Sequence, residues 1–175
     1  GLGGHCVSID PAYLSWKARQ QELPARFIDL ARELNSNMPN YVVGRVIDLL
    51  KSGFHRNLDD CKVLISGIAY KKNINDVRES PALKLIDLFE ERGAKVDYYD
   101  PHIQIIPRTL SYPHLANRSS VAWSAASIAS YDLVVIATDH DGIDYRMLVT
   151  HARLVFDARN ACGQRGASGE NVVKV

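Results

Sequence analysis

Long apolar runs are missing from this chain of 175 residues: the longest, Val63–Ile65 and Leu133–Ala137, fall far short of the roughly 20 residues a helix needs to cross a bilayer. No charged segment followed by an apolar one opens it either, so the chain reads as soluble and cytoplasmic, without a membrane partner. An excess of positive charge is also missing. Lysine and arginine number 21 against 20 acidic residues, a formal charge of +1, which argues against the basic footprint of a nucleic-acid binder. Cysteine is scarce: Cys6, Cys61 and Cys162 form an odd set with no CxxC pair, which disfavours both a disulfide framework and a zinc knuckle. Neither His5-Cys6 nor Asp139-His140-Asp141 has metal-ligand spacing, so no metal site is expected. Also absent is GxGxxG, whose glycines let a dinucleotide pyrophosphate approach the backbone at a helix N-terminus. The corresponding turn here is Gly67-Ile68-Ala69-Tyr70-Lys71-Lys72, so this chain is not expected to bind a dinucleotide in that manner. Finally, no methionine opens the chain. Gly1-Leu2-Gly3-Gly4-His5-Cys6 reads as the interior of a longer protein, with a partner domain upstream.

What is present is enough for one domain with a core and an appended element: 46% of residues are hydrophobic and 23% charged. From Pro11 to about Lys51 apolar residues recur at three- and four-residue steps, among them Phe27, Leu30, Leu34, Val42, Val46 and Leu50. This predicts a helical arm in which Pro39 either starts a new helix or kinks a long one. The polar stretch Gly53–Asp60 reads as a linker, giving an arm over 1–52 and a second unit over 53–175. In that unit strands are predicted at Lys62–Ile68, Lys95–Tyr99, Asp132–Ala137 and Arg153–Asp157, with helices at Ser80–Arg92, Ser124–Ser130 and Tyr145–Thr150. Ser80, Pro81 and Gly93 are the N-cap, first-turn proline and terminating glycine of the first of these helices. Pro101–Ser120 reads as a loop, and the tail from Gly163 ends in a short strand at Val172–Val175. Nearly unbroken apolar strands alternating with helices predict a small α/β domain with a doubly wound, Rossmann-like parallel sheet.

Open α/β sheets bind ligands beyond the carboxyl ends of their strands, where Tyr70, Lys71, Asp76, Arg78, Asp139, His140 and Arg159 are all expected to fall. Basic groups beside an aromatic suit a phosphorylated nucleoside; a solvated charged rim is the alternative. Lys71 and Arg159 are expected at adjacent strand ends. Cys6 follows Gly-Gly-His and precedes a helix, a setting for a nucleophilic thiol as well as for buried filler. Asp10 lies four residues on, either within reach of the same site or capping a helix that starts at Pro11. Cys61 and Cys162 have no such surroundings and read as structural.

Taken together, Gly1–Ala18 (GLGGHCVSIDPAYLSWKA), Gly67–Leu83 (GIAYKKNINDVRESPAL), Val134–Asp141 (VVIATDHD) and Phe156–Ala161 (FDARNA) resemble the C-terminal half of the UDP-glucose/GDP-mannose dehydrogenase family. The likeness runs over essentially the whole chain, and His5 before Cys6 is similar to the branch that oxidises UDP-N-acetylhexosamines, UDP-N-acetylglucosamine above all. Ser8 and Lys72 depart from that branch, which often has proline at both places. The resemblance implies a double oxidation of the sugar C6 alcohol to a carboxylate with NAD. Cys6 would be the nucleophile, and Asp10 would help with water and protons. Gly1, Leu2 and Gly3 would lie along the sugar, and Tyr70, Lys71 and Arg159 would bind the nucleotide sugar. Arg78 would reach an NAD held mainly by an N-terminal domain that this chain lacks, so the chain alone is expected to be inactive. It further implies a homodimer through the arm. A stand-alone nucleotide-sugar binding module would keep Lys71 and Arg159 but need neither Cys6 nor Asp10; a receiver-like interaction domain would place acidic residues where Gly67 stands.

Overall fold

The computed structural model describes residues 1–174. Two helices come first, α1 (His5–Arg19) and α2 (Arg26–Phe54). Ser15 Oγ of α1 donates to Asp29 of α2 at 2.6 Å, and Arg19 pairs with the other oxygen of the same carboxylate. Contrary to the sequence reading, α1 begins at His5 rather than Pro11, so Asp10 lies inside the helix and caps nothing. The positive φ of Gly4, 94°, turns the chain straight into the helix, and Pro11 removes one bond, to the Val7 carbonyl, from a run of 15 residues. Pro39 likewise sits inside α2, where the missing partner is that of the Asn35 carbonyl. The helix runs on through Gly53 and Phe54, and a turn of 3-10 helix, Leu58–Asp60, takes up part of the predicted linker.

The sheet has five strands, all parallel: β1 (Lys62–Ser66), β2 (Lys95–Tyr99), β3 (Leu133–Ile136), β4 (Val155–Asp157) and β5 (Val172–Lys174), in the order β2-β1-β3-β4-β5. The final residue of the predicted tail strand, Val175, lies outside the described residues. The alternation of side chains along each strand divides the core into two layers. Val63, Ile65, Leu133, Val135 and Phe156 face α3 (Pro81–Glu90) and the buried stripe Val42, Val43, Val46 and Leu50 of α2. Leu64, Val134, Ile136 and Val155 face α4 (Ala125–Ala129), α5 (Tyr145–His151) and α6 (Ala161–Gln164). The inner strands are buried on both faces and nearly unbroken in apolar residues, as a parallel sheet requires, whereas β2 at the edge exposes Lys95 and Asp97. The predicted loop Pro101–Ser120 contains a further turn of 3-10 helix, Pro113–Leu115, and an antiparallel bridge between Ile105 and Ser119.

The chain therefore reverses its direction of winding between β1 and β3, and a crevice opens at their carboxyl ends. Gly67 makes the turn there: its φ is 81°, and a Cβ would stand 2.3 Å from the Thr138 carbonyl oxygen of the neighbouring loop. No helix among the described residues is long and apolar enough to cross a membrane.

Candidate functional site

Eight of the nine residues to which the resemblance gives a role, Gly1, Leu2, Gly3, Cys6, Tyr70, Lys71, Arg78 and Arg159, line one cavity of about 590 Å³ between the opening loop, α2 and the carboxyl end of the sheet. Cys6 is exposed and stands in the first turn of α1. Asp10, one helical turn further along the same helix, is exposed and does not line the cavity.

The opening loop is held from two sides. Leu2 donates its N–H to Asn35 Oδ1 at 2.7 Å, and Asn35 Nδ2 donates back to the Leu2 carbonyl at 2.8 Å. On the other side the loop lies against Tyr70. A Cβ on Gly4 would stand 2.7 Å from the Tyr70 ring, and one on Gly3 would stand 2.3 Å from the Glu79 carbonyl. Both glycines are thus needed for the backbone to approach this closely.

Lys71 follows β1 and Arg159 follows β4. The expected adjacency of their strands is wrong: β3 lies between β1 and β4, because the sheet order places the fourth strand outside the third. They still meet in the cavity, on either side of Ala137 and Thr138. Arg159 Nε donates to Asp139 Oδ1 at 3.1 Å, and its backbone N–H donates to Asp157 Oδ1. Asp157 is buried and also accepts from the N–H groups of Ala161 and Cys162, so it shapes the whole turn that carries Arg159. Lys71 makes no ion pair among the described residues, while its neighbour Lys72 pairs with Asp141 at 3.4 Å. Arg78 lies against Asp76, whose carboxyl that guanidinium holds below the usual carboxylate range.

His140 falls beyond the end of β3 as expected, but it is fully buried, because Asp100, just after β2, draws it inward. Asp100 Oδ2 accepts from Ile68 N–H, Ala69 N–H and His140 Nε2 at 2.7, 3.1 and 3.0 Å, and Oδ1 accepts from the His102 and Ile103 N–H groups. Burial opposes charge on Asp100, yet these hydrogen bonds hold its carboxyl below the ordinary range. The turn after β1 has thereby committed its N–H groups to a carboxylate, and it does not fit a dinucleotide pyrophosphate. Cys61 and Cys162 are buried, and burial raises both thiols, Cys162 to about 12 with the help of Asp157.

Asn35, Asp100 and Asp157 escaped the sequence reading. Asp100 stands in a Tyr-Asp-Pro turn at a strand end, a pattern in which aspartate commonly caps backbone N–H groups. Nothing in the sequence pairs Asn35 with Leu2.

Residues 64–164 match the model of the UDP-glucose/GDP-mannose dehydrogenase family, UDP binding domain, and residues 1–37 match that of the same family's central domain. The chain is 36% identical over 168 residues to a UDP-N-acetyl-D-mannosamine dehydrogenase of Methanococcus maripaludis, covering 91% of this chain and 35% of the relative. It is 32% identical to an NDP-N-acetyl-D-galactosaminuronic acid dehydrogenase of Ralstonia nicotianae, with 91% and 35% covered. Among solved structures it superposes on a UDP-D-ManNAc dehydrogenase of Pyrococcus horikoshii with a TM-score of 0.73 at 26% identity, covering 92% of this chain and 35% of that one. The chain spans about a third of the length of the curated relatives it matches.

Proposed function

The chain belongs to the UDP-glucose/GDP-mannose dehydrogenase family, and from that premise we propose that it is the C-terminal part of an NAD-dependent dehydrogenase that oxidises the C6 alcohol of a UDP-N-acetylhexosamine to the uronate. The observation that carries this reading is the convergence of Cys6, Lys71 and Arg159 on one cavity. Lys71 and Arg159 supply positive charge for a diphosphate, Tyr70 a ring and hydroxyl for the nucleoside or sugar, and the Gly1–Gly3 loop a backbone surface close enough to follow a pyranose. Cys6 then stands beside the sugar end of the ligand.

An aldehyde has no leaving group, which is why a thiol is needed between the two oxidation levels. The Cys6 sulfur adds to the aldehyde carbon while its oxygen takes a proton. The carbon so formed still carries a hydrogen that can depart as hydride, and loss of that hydride and of the hydroxyl proton leaves a thioester. Water displaces the sulfur, releasing the carboxylate and restoring the thiol; Asp10, a turn away on α1, assists the water and proton transfers. NAD, when bound, accepts the hydrides. Its site belongs mainly to an N-terminal domain outside this chain, with Arg78 reaching towards it, so the chain alone is inactive.

The relatives named for N-acetylmannosamine make that epimer the first substrate to test, beside the N-acetylglucosamine to which His5-Cys6 points. The arm serves as a homodimer surface: Leu14, Trp16, Phe27, Leu30 and Leu34 are all more than half exposed. The deciding experiment incubates the full-length protein carrying this segment with each UDP-N-acetylhexosamine and NAD. Uronate formation with two NADH per product is expected; NADH without uronate, or neither, overturns the reading.

A further inference from the structure

Tyr70 and Lys71 are carried on a loop that has no regular structure of its own, yet both of its shoulders are fastened to other strands. Before Tyr70, the Ile68 and Ala69 N–H groups donate to Asp100, and the Ala69 carbonyl accepts Thr138 Oγ1 at 2.6 Å. After Lys71, Asn73 donates its N–H to His140 Nδ1 at 2.9 Å, its side-chain amide donates to Asp141 at 2.5 Å, and its Oδ1 accepts the Asp141 N–H at 3.0 Å. Asn73 adopts a left-handed φ of 61° to make this return.

The centre of the arrangement is a pair with no solvent exposure, Asp100 and His140. Because Nδ1 accepts from Asn73, the imidazole proton resides on Nε2 and is donated to Asp100. The neutral ring thus joins the two shoulders: one edge holds the carboxylate that grips Ile68 and Ala69, and the other grips Asn73. Tyr70 to Lys72 are suspended between.

We propose that Asp100 and His140 are positioning residues for Tyr70 and Lys71, fixing the loop so that the lysine amine meets the diphosphate without first being ordered by it. This rests on the reading above that Lys71 binds a nucleotide sugar. Releasing either shoulder would make ligand binding order the loop, a cost that falls on affinity rather than on chemistry at the sugar.

The test measures UDP affinity by calorimetry, and KM and kcat, in the full-length protein for His140→Ala, Lys71→Ala and the double variant. Each single variant is expected to weaken UDP binding about tenfold with kcat within about twofold, and His140→Ala is expected to add less than about twofold once Lys71 is already alanine. His140→Gln, whose amide can still donate to Asp100, is expected to recover part of the loss. Asn73→Gly provides a variant that spares the buried core: it keeps the left-handed backbone and removes only the bonds to Asp141, and it is expected to raise KM in the same direction. Additive losses in the cycle, or unchanged affinity in both His140→Ala and Asn73→Gly, overturn the positioning role. Absence of UDP binding by the wild-type protein overturns the proposed function itself, and this inference with it.

Discussion

Asn35 and Leu2, 33 residues apart, exchange two hydrogen bonds, the side-chain amide of Asn35 satisfying both the N–H and the carbonyl of Leu2. The loop leading to Cys6 is in this way tied to the middle of α2. Asn35→Ala removes both bonds at once. We expect kcat to fall about tenfold, because a loosened loop misplaces the thiol, with little change in melting temperature since both groups are solvent-exposed. Asn35→Gln, one methylene too long, should not restore it; steady-state kinetics and a thermal melt decide.

Lys71 and Arg159 approach the cavity from opposite sides of β3. Replacing either by alanine removes a charge-assisted contact of about 1.5–3 kcal/mol, which corresponds to a KM rise of roughly 10- to 100-fold. Arg159→Lys should be impaired as well, since a point charge cannot both lean on Asp139 and face a phosphate as a guanidinium does. Unchanged KM in both alanine variants would return the two residues to a solvated rim.

Cys6 and Asp10 make separable demands. Cys6→Ala should abolish uronate while leaving alcohol-to-aldehyde turnover possible, because only the second oxidation passes through sulfur. Cys6→Ser, a poorer nucleophile whose ester hydrolyses slowly, should stall with sugar attached, visible by intact mass. Asp10→Asn should form the sulfur adduct and hydrolyse it more slowly. Uronate made by Cys6→Ser at the wild-type rate would show that the cysteine is not the nucleophile.

At Gly67 the backbone and the space agree. Its left-handed φ and the 2.3 Å gap to the Thr138 carbonyl both exclude a Cβ. Gly67→Ala should destabilise the fold by more than about 2 kcal/mol in urea melts, whereas Gly44→Ala, inside α2 where a Cβ meets nothing, should leave it unchanged or stabilise it.

Acid should undo the fold through its paired carboxylates. Asp100 and Asp132 both titrate below the ordinary value of 3.8 despite burial, Asp132 being held by the Lys62 N–H and by Arg56 and Arg153. A folded value below the unfolded one means these groups stabilise the fold above about pH 4, and that this contribution disappears as the pH falls through their lowered values. Melting temperature followed from pH 7 to pH 2.5 should drop steeply only below about pH 4, and Asp132→Asn should lower the plateau and flatten the fall.

Much of the sheet is legible because its inner strands are hydrophobic on both faces: Val63–Ile65 and Leu133–Ala137 stand out from any neighbouring segment. The punctuation of α3 was equally plain, and Ser80 does accept the Ala82 N–H. Less legible was α1, where local preference favoured Pro11 as a first residue; the longer helix outweighs the one bond that proline removes. The sequence also points to Tyr70, Lys71, Arg78 and Arg159, which meet in the cavity, through basic and aromatic types at strand ends, whereas Gly1, Leu2 and Gly3 are indicated only by the family resemblance. It did not reveal how they are held. Asp100 and His140 lie 40 residues apart, and a pair of that kind has no periodicity to betray it; the sequence places His140 beyond a strand end without showing that it is buried.

One helix joins the two halves of the site. α2 begins half-exposed in the arm, grips the Cys6 loop through Asn35 midway, and ends with Val42, Val43, Val46 and Leu50 sealed against the sheet. A 29-residue α-helix is a stiff rod of about 43 Å. Cys6 and the two cations that line the same cavity, Lys71 and Arg159, are therefore mounted on one chassis. The spacing between those cations and the Cys6 sulfur is set when the chain folds, as the spacing of jaws on a fixed caliper is set when it is made.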